Sequence, residues 1–310
     1  MTDIKLCYPN FSRKSVTFTI DDGNLKWDEK FISIVKPHGI LGTFNLCSDK
    51  VKLADAEFYR EFYRGFEIAN HCKYHPFAPN DSLAYSLASA EDKANATPDE
   101  TVLYPTSGVE GLYDVLYERG WRQTADTEGY IRFADESRRE LEAVFGEGSV
   151  TSYVWPYCQQ NNREVLTHLK NSGYYAIRKT GCVLDSTAFA PPADYMAWSY
   201  NADNRNLVDV MAKYEDYPDD GELKFFAFGV HSWDFERDGN WCDLERFAEL
   251  YGDRPADFWY ATVKDILEYV TAARQLRREG NTLINPSRKD IYLEYNGKRS
   301  VIAAGDELCI

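Results

Sequence analysis

The stretch Val16-Thr17-Phe18-Thr19-Ile20-Asp21-Asp22-Gly23 decides the fold. Val16, Phe18 and Ile20 alternate with threonines, the period-two pattern of a strand made of β-branched and aromatic residues. The strand then meets two adjacent carboxylates and a glycine. Alternation sends successive side chains to opposite faces, so Asp21 and Asp22 are expected to do different work. Gly23 lets the chain turn sharply beyond them. An apolar strand that delivers acids at its carboxyl end is a common arrangement in α/β enzymes.

Working outward, Trp27 to Val35 reads as a helix ended by Pro37 and Gly39, and Ile40 to Leu46 as a second strand. That βαβ start predicts a parallel sheet. A helix is expected over 55–65, with Phe58 and Phe62 at helical spacing, then a short strand Glu67-Ile68-Ala69. It leads into Asn70-His71-Cys72-Lys73-Tyr74-His75-Pro76. His71 and His75 are four apart, so one helical turn would set both imidazoles on one face. Two histidines and a carboxylate make a ligand set for a catalytic divalent metal with open positions.

Residues from about 77 to 135 read as an insertion on the rim of the site, polar and turn-rich, with Tyr130 to Phe133 as a strand. Ser137 followed by Glu140 suggests a capping box opening a helix to Phe145. Further strands are expected at Val150 to Tyr157, Tyr174 to Ile177 and Lys224 to Trp233, the last an apolar run meeting His231. Helices are expected over 162–173 and 207–214. A long amphipathic helix is expected over 255–279, burying Trp259, Ile266 and Val270. Asn296-Gly297 between two β-prone runs signals a hairpin, so residues 281–310 read as a C-terminal β-hairpin extension.

A net charge of −15 argues against nucleic acid and anionic membrane surfaces as partners, because both call for basic patches. The seven cysteines are odd in number and widely spaced, which fits reduced thiols better than a disulfide framework. The N-terminus has no apolar signal region, and no segment approaches about 18 apolar residues. A cytoplasmic protein is the expectation, with a homo-oligomer left open.

These residues carry a resemblance. Thr19-Ile20-Asp21-Asp22-Gly23 resembles the T-F-D-D-G motif of the NodB-homology polysaccharide deacetylases (carbohydrate esterase family 4). The run from Phe66 to Pro76 resembles their second motif, G-H-E-I-G-N-H-T-x-x-H-P, and Gly42-Thr43-Phe44 matches the intervening strand. Pro156-Tyr157 match the end of the third motif, R-x-P-F/Y, but Val154 stands at its arginine. The fourth motif is degenerate: within 196–203, Asn201 stands where an acid is expected, and Asp194 or Asp203 could take that role. His231 matches the fifth motif, L-x-x-H.

The resemblance implies an irregular seven-stranded (β/α) barrel over residues 1–280. It implies a divalent metal on Asp22, His71 and His75, with zinc first and cobalt, nickel or manganese as alternatives. Asp21 would be the general base and His231 the general acid. The backbone N–H of Tyr157 would stabilise the oxyanion, with Trp155, Pro156, Tyr157 and Trp198 contacting substrate. The implied reaction removes acetyl from an N- or O-acetylated sugar. In the family the third-motif arginine bonds the base and is steadied by the fourth-motif acid. With Val154 there, Asp21 is expected to lack a guanidinium and to be less acidic. Hydrolysis of a small non-carbohydrate amide, or carbohydrate binding without catalysis, are the alternatives.

Overall fold

The computed structural model describes residues 4–76, 127–158, 162–179 and 189–310. Strand β2 (Lys14–Asp22) organises it. Along one edge β2 pairs in parallel with β7 (Lys224–His231), setting Asp21 beside His231. Its other edge takes β8 (Phe258–Tyr260) at its start and β3 (Thr43–Leu46) at its end. The sheet continues through β4 (Glu67–Asn70), β5 (Ser152–Val154) and β6 (Ala176–Arg178), seven strands in all.

The two outermost strands, β6 and β7, are joined by an irregular segment, 198–202. Trp198 bridges to Arg178 and Ala202 to Phe228, both in parallel. Asn201 pairs with Ala227 twice: its N–H donates to the carbonyl (2.7 Å) and its side-chain oxygen accepts from the N–H (2.9 Å). The sheet therefore curls into the irregular barrel implied by the resemblance. The stretch read as a degenerate fourth motif closes it.

Parallel strands buried on both faces need apolar side chains throughout, and β2 and β7 are buried almost end to end. Phe18 and Phe44 meet Phe31 of helix α1 (Leu25–Val35) edge to face, with ring centroids 5.0–6.2 Å apart. Helix α2 (Ala56–Phe62) covers the next crossover, burying Tyr59 while Phe58 faces solvent.

Several expectations are corrected. Tyr130 to Phe133 is helical: α3 runs Thr127–Phe145 and buries Tyr130, Phe133, Ala134, Ser137, Leu141 and Val144, a stripe at helical period. Ser137 sits inside that helix, so it caps nothing. The part of the expected insertion over 127–135 is therefore helix, and 77–126 lies outside the described residues. The long C-terminal helix is α8 (Val263–Arg274), started by a Thr262 cap. Trp259 precedes it, on β8. Helices α4 (Arg163–Asn171) and α5 (Leu207–Glu215) lie close to their expected ranges, and α6 (Asp234–Arg237) and α7 (Trp241–Tyr251) follow β7.

The C-terminal hairpin is real but belongs to a larger unit. Asn296 and Gly297 take the positive φ values (48° and 76°) that a tight hairpin turn needs, between β11 (Ile291–Tyr295) and β12 (Lys298–Ile302). The N-terminal segment supplies a third strand, β1 (Ile4–Cys7), paired with β11. A second small sheet joins β9 (Arg277–Glu279), β10 (Thr282–Ile284) and β13 (Glu307–Cys309). Tyr269 of α8 ties the first sheet to the barrel, donating to the Cys7 carbonyl and accepting from the Tyr292 N–H. Among the described residues no helix is long and apolar enough to cross a membrane.

Candidate active site

The carboxyl ends of β2, β4 and β7 open into a cleft of about 700 Å³ lined by Asp21, Asp22, His71, His75, Tyr157 and His231. The expectation that alternation separates the two aspartates is corrected here. Asp22 adopts φ 77° and Gly23 φ 72°, so the strand geometry breaks at Asp22 and both carboxylates reach one cavity. A non-glycine residue at such a φ is strained, and strain of this kind gathers at functional sites.

His71 and His75 are brought together by a loop, not by a helical turn. Cys72, Tyr74 and His75 all have positive φ, and the Asn70 side chain accepts from the Cys72 N–H (2.8 Å), turning the chain as it leaves β4. The two imidazoles still meet, ring centroids 4.8 Å apart. His71 Nε2 lies 3.5 Å and His75 Nε2 3.4 Å from the same oxygen, Asp22 Oδ1.

That arrangement fits a metal. Ligands about 2.0–2.1 Å from one tetrahedral ion stand about 3.4 Å apart. Asp22 Oδ1 and His71 Nε2 are buried with no hydrogen-bond partner, an arrangement that is costly unless an ion satisfies them. The Val154 carbonyl lies 3.0 Å from His71 Nδ1, which fixes the proton there and leaves the Nε2 lone pair facing the cavity. Burial holds His75 neutral, its pKa lowered to about 3. Asp22 keeps its charge despite burial, because Lys50 and His231 hold its carboxyl well below the ordinary value. Cys47 was not anticipated: Asp22, Cys47 and His71 offer ligand atoms within 4.8 Å of one another. The Cys47 thiol donates to the His71 carbonyl (3.5 Å), below the loop.

Asp21 has a guanidinium after all. Arg178, at the end of β6 and only 1% exposed, binds Asp21 Oδ2 through one NH₂ group and Thr19 Oγ1 (2.9 Å) through the other. Asn45 Nδ2 donates to Asp21 Oδ1 (2.7 Å). The position lost at Val154 on β5 is thus made good from the neighbouring strand. Burial alone would raise the Asp21 pKa, but the Arg178 charge outweighs it and the carboxyl is held below its ordinary value. The expectation that Asp21 lacks a guanidinium and is less acidic is overturned. Neither Asn201, Asp203 nor Asp194 serves as a second acid: Asn201 closes the barrel, Asp203 binds Arg205, and Asp194 caps a short turn. Tyr200 instead lies over the guanidinium, 5.2 Å from its ring centroid.

Tyr200 reaches that place because β7 has a glycine opposite it. A Cβ at Gly229 would stand 2.3 Å from the Tyr200 ring. Gly229→Ala should therefore displace Tyr200 and lower stability by about 1–3 kcal/mol, the usual cost of overpacking. Urea denaturation of the variant measures it.

The carboxylates around His231 favour its protonated form. Burial opposes the charge, but Asp22 nearby and the hydrogen bond to Asp234 outweigh it, raising the pKa to about 9. Asp234 Oδ2 accepts from both the His231 N–H and Nδ1, each at 2.9 Å. His231 Nε2 lies 3.8 Å from Asp22 Oδ2, and the ring stacks on Trp233.

Of the expected substrate contacts, only Tyr157 lines the cleft, its ring 4.4 Å from His75. Trp155 is buried against Tyr130, Trp198 packs on Phe225, and Pro156 is buried, so these three belong to the core. The aromatic residues facing the cavity are Trp27, Tyr157, Tyr200 and Trp233. The loops holding the site are clamped from outside by Glu140 of α3, which accepts from Ser48 (2.6 Å) and Lys73 (2.5 Å).

The polysaccharide deacetylase family model matches residues 9–177, more than half of the chain, and the protein belongs to that family. No curated protein matches it. Among solved structures, a putative polysaccharide deacetylase from Mycobacterium smegmatis superposes with a TM-score of 0.52 at 14% identity, over 89% of this chain and 96% of that one, which shows the shared fold. A Streptococcus mutans CE4 esterase gives 0.46 at 14% identity, over 83% and 92% of the two chains. The Xyl-CE4 domain of a multidomain xylanase from the hindgut metagenome of Trinervitermes trinervoides gives 0.45 at 14% identity, over 84% and 92%.

Proposed function

We propose that the protein is a metal-dependent hydrolase that removes acetyl groups from an N- or O-acetylated carbohydrate, releasing acetate. The observation that carries this reading is the convergence of His71 Nε2 and His75 Nε2 on Asp22 Oδ1, in a cleft shared with an arginine-bound aspartate and with His231, whose Nδ1 is bonded to Asp234. Asp22, His71 and His75 would hold a divalent ion, zinc first, whose Lewis acidity would polarise the acetyl carbonyl and acidify a water. Asp21, kept ionised by Arg178, takes the proton of the attacking water. The Tyr157 backbone N–H is assigned to the carbonyl oxygen as charge develops there. His231 gives its proton to the departing amine or alcohol. Trp27, Tyr200 and Trp233 offer flat apolar faces to a sugar ring.

The test is acetate release from a panel of acetylated mono- and oligosaccharides and small N-acetyl amides, with and without added zinc, cobalt, nickel or manganese. Metal-stimulated release from sugars supports the reading, and release from the amides alone sinks its carbohydrate part. His71→Ala and His75→Ala are each expected to lose most of the bound metal in elemental analysis. Full occupancy in both would rule out this ligand set.

A further inference from the structure

We infer that Asp28 is a positioning residue for His231, acting through the Ser232 hydroxyl; the inference rests on His231 being the proton donor proposed above. Asp28 lies in the first turn of α1 and is completely buried. Its two oxygens accept from hydroxyls on distant parts of the chain: Ser232 Oγ at 2.6 Å and Tyr63 Oη at 2.8 Å. No salt bridge engages it among the described residues.

A buried carboxylate with only neutral donors is expensive, and burial pushes this carboxyl up to about 7. An apolar side chain would serve the α1 packing at less cost. What the carboxyl supplies is a fixed point for Ser232, which follows His231 directly and is itself fully buried. The loop from His231 to Asp234 is also held by Asp234 bonding back to His231, by the Asn204 amide donating to the Asp234 carbonyl (3.4 Å) and by Arg237 pairing with the Asp234 carboxylate (2.6 Å). The Ser232–Asp28 bond ties that loop to α1, and Tyr63, just beyond α2, ties Asp28 in turn. The direction in which His231 Nε2 points is thereby set by two helices outside its own strand.

The test uses the metal-loaded full chain. Ser232→Ala and Asp28→Ala are each expected to lower kcat about tenfold, equivalent to about 1.4 kcal/mol, with KM within about twofold. The double variant should lose no more than the worse single, because both changes cut one bond. Ser232→Thr, which keeps the hydroxyl, should recover most of kcat. Independently of turnover, amide hydrogen exchange at residues 231–234 should quicken in Ser232→Ala, a variant that removes one oxygen and leaves the fold intact. Unchanged exchange, or quickened exchange with kcat within twofold of wild type, overturns the assignment, as does additive loss in the double variant. If wild type releases no acetate from any substrate, the proposed function fails; the exchange measurement then still decides whether Asp28 holds the turn.

Discussion

Asp21→Asn should retain its metal and lose at least about a hundredfold in kcat, the usual worth of a general base. The amide keeps the shape of the carboxylate and can still accept from Arg178, but it cannot take a proton from water. Metal content by elemental analysis separates this outcome from collapse of the site, since Asp22, His71 and His75 are untouched. Retained metal with turnover near wild type would make Asp21 structural and place the proton acceptor elsewhere.

Arg178→Met should damage both stability and pH response. Removing one partner of a buried pair leaves a carboxylate with no counter-charge, at a cost of about 3–5 kcal/mol in denaturant unfolding. The sign of the pH effect follows from Asp21, whose folded pKa lies below its ordinary value. The stabilisation from that pair is present above the unfolded aspartate pKa of about 3.9 and is lost as pH falls through the lower folded value. With Arg178 gone, the largest charge opposing burial is removed and the Asp21 pKa rises, so the acidic limb of the kcat/KM profile should move to higher pH. Arg178→Lys should be intermediate, because an ammonium supplies charge without the two-pronged reach to Asp21 and Thr19. An acidic limb that stays in place in Arg178→Met would show that another group governs the ionisation of Asp21.

The strand ending in Asp21 and Asp22 was legible because period-two alternation and a carboxyl-end acid are local signals. The histidine pair was legible in position but not in form. A four-residue spacing suits a helical turn and an irregular loop alike, and the positive φ at Cys72, Tyr74 and His75 has no glycine to announce it. Tyr130 to Phe133 carries strand propensity, yet the stripe running on to Val144 gives it to a helix. Tertiary burial outweighs propensity over so short a run.

Arg178 escaped attention because its role depends on which strands become neighbours. The family motif places a guanidinium on the strand that here is β5, where this chain has Val154. The signal was nonetheless present: Tyr174 to Ile177 is an apolar strand run that ends in a charge, as β2 ends in Asp21 and β7 in His231. The expected contacts Trp155 and Trp198 were misplaced for a related reason. Tryptophan serves core and cleft equally well, and adjacency to a motif does not say which face it takes.

The bond between Arg178 and Asp21 spans 157 positions of sequence and joins strands that are not neighbours in the sheet. Forming it means closing a very long loop, which comes late on entropic grounds. The charge on Asp21 is thus supplied by the finished barrel and not by the strand that carries it. A refolding chain can assemble β2, β3 and β4, and with them Asp22, His71 and His75, before it can hydrolyse anything. Metal capture should then precede the return of activity during refolding, with the interval between the two marking the time the chain takes to seat β6.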